Sequence, residues 1–213
     1  MHYINEEKPV KIWKLETSYD EIKHILLAWI AISLAFGIVL SNGKIFSLDF
    51  LVNFAIAALT VGIGFLFHEL AHKVLAQHYG YFAEFRSFSV MLVIAIAMSF
   101  LGFIFAAPGA VFILSRVIDV KKNGIISVVG AVTNLVLAVI FFLLAAQFTG
   151  FLGQVGMYGF FVNSWLALFN MIPVWNFDGA KVFRWSKLVW ISIVVISLIF
   201  LFLVPLFIDN ISL

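Results

Sequence analysis

Residues 25–41, ILLAWIAISLAFGIVLS, carry no charged side chain. A run of this kind constrains a fold more than any other sequence feature. About 20 mostly apolar residues cross the hydrocarbon of a bilayer as a helix, and backbone groups in lipid must be satisfied within the segment or within protein. Comparable runs follow near 50–79, 87–107, 124–148, 156–175 and 187–208 in a chain of 213 residues. Only 11% of the residues are charged, against about a quarter in soluble domains. The expected fold class is an all-α polytopic membrane protein with 5–6 transmembrane helices and a small re-entrant β-hairpin or membrane-dipping segment. Residues 1–24 read as an uncleaved polar tail, 25–208 as one transmembrane domain and 209–213 as a C-terminal tail. The net charge of +2 gives no footprint for nucleic acid. The absence of cysteine excludes disulfides and thiolate metal ligands.

The run 87–107 (SFSVMLVIAIAMSFLGFIFAA) has the length of a helix but ends at Pro108-Gly109, and AVFILSR after it reads as a strand. Charge separates two topologies. If the run spans and the N-terminus is cytoplasmic, 6 lysines and arginines lie inside and 7 outside. If it enters and returns, 12 of the 13 lie inside and only Lys44 outside. The excess of positive charge on cytoplasmic loops favours the second arrangement. A hairpin over 81–117 would satisfy its own backbone while dipping into the membrane. The expected location is a cell membrane, crossed several times, with the N-terminus and the active-site side cytoplasmic.

Within the second run, VGIGFLFHELAHKVLAQHYG places His68, Glu69 and His72 as H-E-x-x-H. Residues i and i+4 share a helical face, so both imidazoles can grip one ion. Glu69 lies beside them, where a carboxylate can take a proton from water. Ionisable groups at mid-helix cost about 2.5–3.5 kcal/mol each on insertion scales, so they mark function. A catalytic zinc takes three protein ligands and water. His78 is six residues beyond His72, on a helix with Leu75 where a turn back would need glycine, and is expected at the membrane interface. Asp178, in NMIPVWNFDGAKV, is the better third ligand: Pro173 breaks the preceding helix and Gly179 frees the chain after the acid. The re-entrant topology brings Asp178 to the same leaflet as His68 and His72. Asn134 and Asn170 stand inside apolar helices and either bond neighbouring helices or donate to a substrate. Glu21, His24 and the six tryptophans are expected to anchor at the interface, and Glu84 to pair with Arg86 in solvent.

Three blocks in order resemble the site-2 protease family of intramembrane zinc metalloproteases: HELAHKVLAQHYG, GAVTN (similar to G-x-x-x-N) and NMIPVWNFDG (similar to N-x-x-P-x-x-x-x-D-G). The resemblance spans 50 to about 185 and leaves no room for PDZ or CBS modules. Ala131 and Phe177 depart from the family's usual proline and leucine. It implies one Zn2+ per chain on His68, His72 and Asp178, Glu69 as general base, and Asn134 holding substrate. It also implies a re-entrant hairpin after the first motif. The implied function is an intramembrane metalloendopeptidase whose partners are transmembrane protein substrates in the lipid bilayer. The alternative is a membrane metal-binding or metal-transport protein that uses the same ligands without chemistry.

Overall fold

The computed structural model describes residues 10–12, 15–104, 108–115 and 117–204. The expected C-terminal tail (209–213), the end of the last apolar run (205–208), and Lys8, Lys14 and Arg116 of the charge count lie outside the described residues. The chain is mostly helical. Among the described residues, three helices are long and apolar enough to cross a membrane: Tyr19–Leu40, Leu48–His78 and Val120–Gln147. They associate the protein with a membrane, and many of their apolar side chains, such as Leu27, Leu51 and Val136, face outward.

An antiparallel pair, β1 (Val10–Ile12) and β2 (Leu15–Thr17), precedes helix α1 (Tyr19–Leu40). The helix begins where a cap is available: Ser18 Oγ accepts the Glu21 N–H. Helix α2 (Leu48–Ala57) is capped in the same way by Ser47 and continues through a π-helical turn, Ala58–Gly62, into α3 (Ile63–His78). Together they make a 31-residue rod. At about 1.5 Å per residue it exceeds the hydrocarbon thickness of about 30 Å. It ends in a left-handed glycine, Gly80 (φ +80°), with the Tyr81 N–H bonded back to Ala76 O (3.0 Å).

The run 87–107 neither spans nor forms a plain hairpin. Strand β3 (Phe82–Ser87) pairs antiparallel with β4 (Gly109–Leu114), and helix α4 (Ser89–Ser99) lies between them in the chain. Ser87 pairs with Gly109, so the segment leaves and returns at one level. Eleven residues of α4 rise only about 16 Å, half the hydrocarbon core. Leu92 anchors α4 in a cluster with Ala28 and Ala31 of α1 and Phe85 of β3.

Helix α5 (Val120–Gln147) starts at the Asp119 cap and packs against α3 on one side and α6 (Gly150–Asn170) on the other. Helix α6 ends at Asn170, five residues earlier than its apolar run suggests. A short loop then leads to α7 (Asp178–Trp185) and to α8 (Lys187–Leu198), which runs into a second π-helical turn, Ile199–Leu203. Ala131 and Leu135 of α5, Ala167 of α6, Met171, Val182 of α7 and Ile193 of α8 form one buried cluster. It sets α7 against α5, and so sets the start of α7 beside α3.

Candidate metal centre

Helix periodicity alone brings His68 and His72 to one face of α3. Their rings meet edge to face at 4.6 Å between centroids, and both side chains are buried. The opposing face of α5 carries Gly130 and Asn134, again one turn apart. Gly130 leaves space for the rings: a Cβ built there would lie 2.6 Å from His68 Nε2 and 2.6 Å from His72 Cε1. Asn134 and the backbone of α5 fix how the rings point. His68 Nδ1–H donates to Asn134 Oδ1 (2.6 Å), and His72 Nδ1–H donates to Ile126 O (2.7 Å). A proton held at Nδ1 leaves the Nε2 lone pair free for a metal.

Asp178 arrives from the other side. It is the first residue of α7, not the last of an apolar helix as its sequence suggests. Gly179 is needed for contact rather than freedom, because a Cβ there would run into the backbone of Met171. Asp178 Oδ2 sits 3.4 Å from His68 Nε2 and 2.9 Å from His72 Nε2, and the two Nε2 atoms are 3.0 Å apart. Lys181 holds the other oxygen, Oδ1, at 3.1 Å. Burial pushes the Asp178 carboxyl up, but the neighbouring His72, His68 and Lys181 outweigh it and hold the group well below the usual carboxylate range. Asp178 is thus a carboxylate with one oxygen committed to the imidazole pair.

Three electron-pair donors at 2.9–3.4 Å repel one another unless a cation or a shared proton lies among them. The edge of a tetrahedron around an ion with bonds of about 2.0–2.1 Å is about 3.3 Å. Two imidazoles and one carboxylate, with no thiolate, are a donor set that fits Zn2+.

Glu69 is not one of the three grouped donors. Its Oε2 accepts the Val111 N–H of β4 at 3.1 Å. Val111 faces Phe85 across the sheet, and the Phe85 N–H goes to Glu21 Oε1 (2.8 Å). Neither amide is used within the ladder, so each points to its strand's outer edge.

The other residues singled out by sequence keep or change their expected surroundings one by one. His78 is exposed at the end of α3, apart from the His68–His72–Asp178 group. Asn134 is fully buried and has no donor left for a substrate: its Nδ2 bonds Gly64 O (3.1 Å) and Asn163 Oδ1 (3.0 Å). Asn170 donates within α6, to Leu166 O (2.9 Å). Glu21 is not an interface anchor. It is completely buried and takes Thr17 Oγ–H, Phe85 N–H and the ammonium of Lys73, itself 3% exposed. His24 meets Ser87 Oγ (2.7 Å), and Glu84 adds Ser18 to its pair with Arg86. Trp29 and Trp190 donate to Ala58 O and Met171 O, so these two act as struts between helices.

Fold and site together define a helical membrane protein with a His2Asp group fit to bind a metal, its two buried histidines on a membrane-length helix and its aspartate at the start of α7. No family model matches the chain, and no solved structure matches it. It is 40% identical over 140 residues to a Methanocaldococcus jannaschii protein named "Putative zinc metalloprotease". That match covers 64% of this chain and 73% of the other. The chain belongs to the family of that zinc metalloprotease.

Proposed function

We propose that this protein is an intramembrane zinc endopeptidase of the site-2 protease type, cutting transmembrane segments of membrane proteins within the bilayer. The observation that carries the reading is the position of Glu69. It lies next to the metal-binding face of a membrane-length helix and also touches the outer edge of β4. A site that only held or moved a metal would have no use for a carboxylate between its ligands and a strand.

Zinc, when bound, polarises a peptide carbonyl and brings the pKa of water towards about 7. Glu69 takes the proton of the attacking water at its carboxylate and passes it to the leaving amine. The Val111 N–H holds that carboxylate beside the ligand face until then. A substrate helix hides its amides in its own hydrogen bonds and must unwind before it can be cut. The outer edge of β4 offers the unwound stretch main-chain partners in an extended form. The returning path of β3, α4 and β4 supports a cytoplasmic active site through the distribution of lysine and arginine.

The test is a paired assay on detergent-purified protein: bound zinc, and cleavage of a single-span substrate. Wild type is expected to hold about one zinc per chain and to cut. Glu69→Gln should keep its zinc and lose cleavage by a factor on the order of 10²–10⁴. Asp178→Asn should lose zinc. If wild type binds zinc yet cuts nothing in a panel of helix-destabilised spans, the protein binds or moves metal without proteolysis.

A further inference from the structure

Asn163 lies in the middle of α6 and touches none of the three metal-binding side chains. It is 0% exposed, and its surroundings give its amide one orientation only. Its Nδ2 donates to Gly159 O (2.9 Å), so its Oδ1 faces α5 and accepts from Asn134 Nδ2 (3.0 Å). The second Nδ2 hydrogen of Asn134 goes to Gly64 O (3.1 Å). Two oxygens therefore hold the amino end of Asn134, and its own oxygen must face His68 Nδ1. Each bond points the same way, from His68 through two carboxamides to the backbone of α6. Turning either amide over would set oxygen against oxygen in a fully buried position, where unpaired polar groups are costly. The backbone makes room for the chain: a Cβ at Gly64 would collide with the Asn163 amide.

We infer that Asn163 is a positioning residue for the metal centre: through Asn134 it fixes the Nδ1–H form and the ring angle of His68, leaving Nε2 for zinc. The inference rests on His68 being a metal ligand, as proposed above. His72 has a backbone carbonyl for the same purpose, so the relay serves one ligand and not the other.

The experiment reads zinc affinity of the full-length protein in detergent, by chelator competition, for wild type, Asn163→Leu and Asn163→Asp. Leucine removes both hydrogen-bonding ends. The isosteric acid, in its neutral form, keeps an acceptor for Asn134 and a donor for Gly159 O. Asn163→Leu should bind zinc about 10–100-fold more weakly, as outer-shell losses do. Its cobalt-substituted form should show displaced ligand-field bands, and Asn163→Asp should restore both readouts. A folded Asn163→Leu protein with wild-type zinc affinity and cobalt spectrum overturns the inference, even if its melting point falls. Should that variant not fold, nitrogen-15 histidine spectra of zinc-loaded wild type still decide. A low-field Nδ1–H on His68 with a bare Nε2 supports the relay, and a proton on Nε2 overturns it. Wild type that binds zinc but does not cut defeats the protease reading and leaves this one standing.

Discussion

Gly130→Ala is expected to strip zinc from the protein while leaving it folded. The added methyl would sit 2.6 Å from atoms of both imidazoles, closer than carbon and nitrogen can approach. The rings cannot retreat together, because each is held at Nδ1, one by Asn134 and one by Ile126 O. Either the rings turn and their Nε2 atoms diverge, or α5 moves off α3 and takes those acceptors with it. Both outcomes open the triangle of donors that now has edges of 2.9–3.4 Å. Zinc affinity should fall by about 100-fold, the upper end of outer-shell effects. Chelator competition measures it. Zinc retained at wild-type affinity would mean that α3 and α5 are not packed as described.

The second large effect is on stability. Lys73→Met removes the ammonium but keeps an apolar stem of similar length. Glu21 is then left with two neutral donors and no counter-charge in a fully buried position. Breaking a buried pair from one side costs about 3–5 kcal/mol, because the remaining charge stays desolvated. In a chain of this size each kcal/mol lowers the melting point by about 2–4 °C. Removing both charges, with Glu21→Gln in the same chain, should recover most of the loss. The contrast between single and double variants, read by thermal unfolding in detergent, separates a buried charge pair from a surface one. A loss below about 1 kcal/mol in the single variant, typical of exposed pairs, contradicts the burial described here.

Much of the site was legible because it is written in local periodicity. His68 and His72 need only an intact helix to face one way. Asp178 was found through its setting after Pro173 and before glycine, although the helix it belongs to begins there rather than ends. The reason for that glycine was misjudged. Sequence suggests freedom at Gly179, whereas the fold requires close approach to Met171. The fragment GAVTN acquires a double meaning. Gly130 makes room for both rings and Asn134 orients one of them, which a helix turn between the two residues makes possible.

Asn163 could not be told from Asn170 by reading. Both are amides in the same apolar helix, Asn163 about two turns before its end and Asn170 at its last residue, and either is an ordinary interhelical bond donor in a bilayer. Seven residues apart, they share nearly one face, so which of them meets Asn134 depends on how far along its axis α6 lies against α5. By sequence Glu21 reads as an interface charge for a similar reason, and nothing near Lys73 marks it as the partner. Only the return of β3 beneath α1 closes solvent away from them. The run 87–107 misled by its length, since helix length says nothing about a strand pairing made by residues on either side of it.

By itself the sequence determined the membrane class, the helix that carries the metal-binding pair, the acid that completes it and the carboxylate beside it. The membrane class, the histidine pair and Glu69 follow from solvent preference and from the 3.6-residue repeat, which act over a few turns of one chain segment, and Asp178 from its setting between Pro173 and Gly179. The tertiary structure alone decided the amide relay behind His68, the buried Glu21–Lys73 pair and the pairing of 82–87 with 109–114. Each of these depends on which faces of distant segments meet, and one-dimensional periodicity fixes a face without fixing its partner.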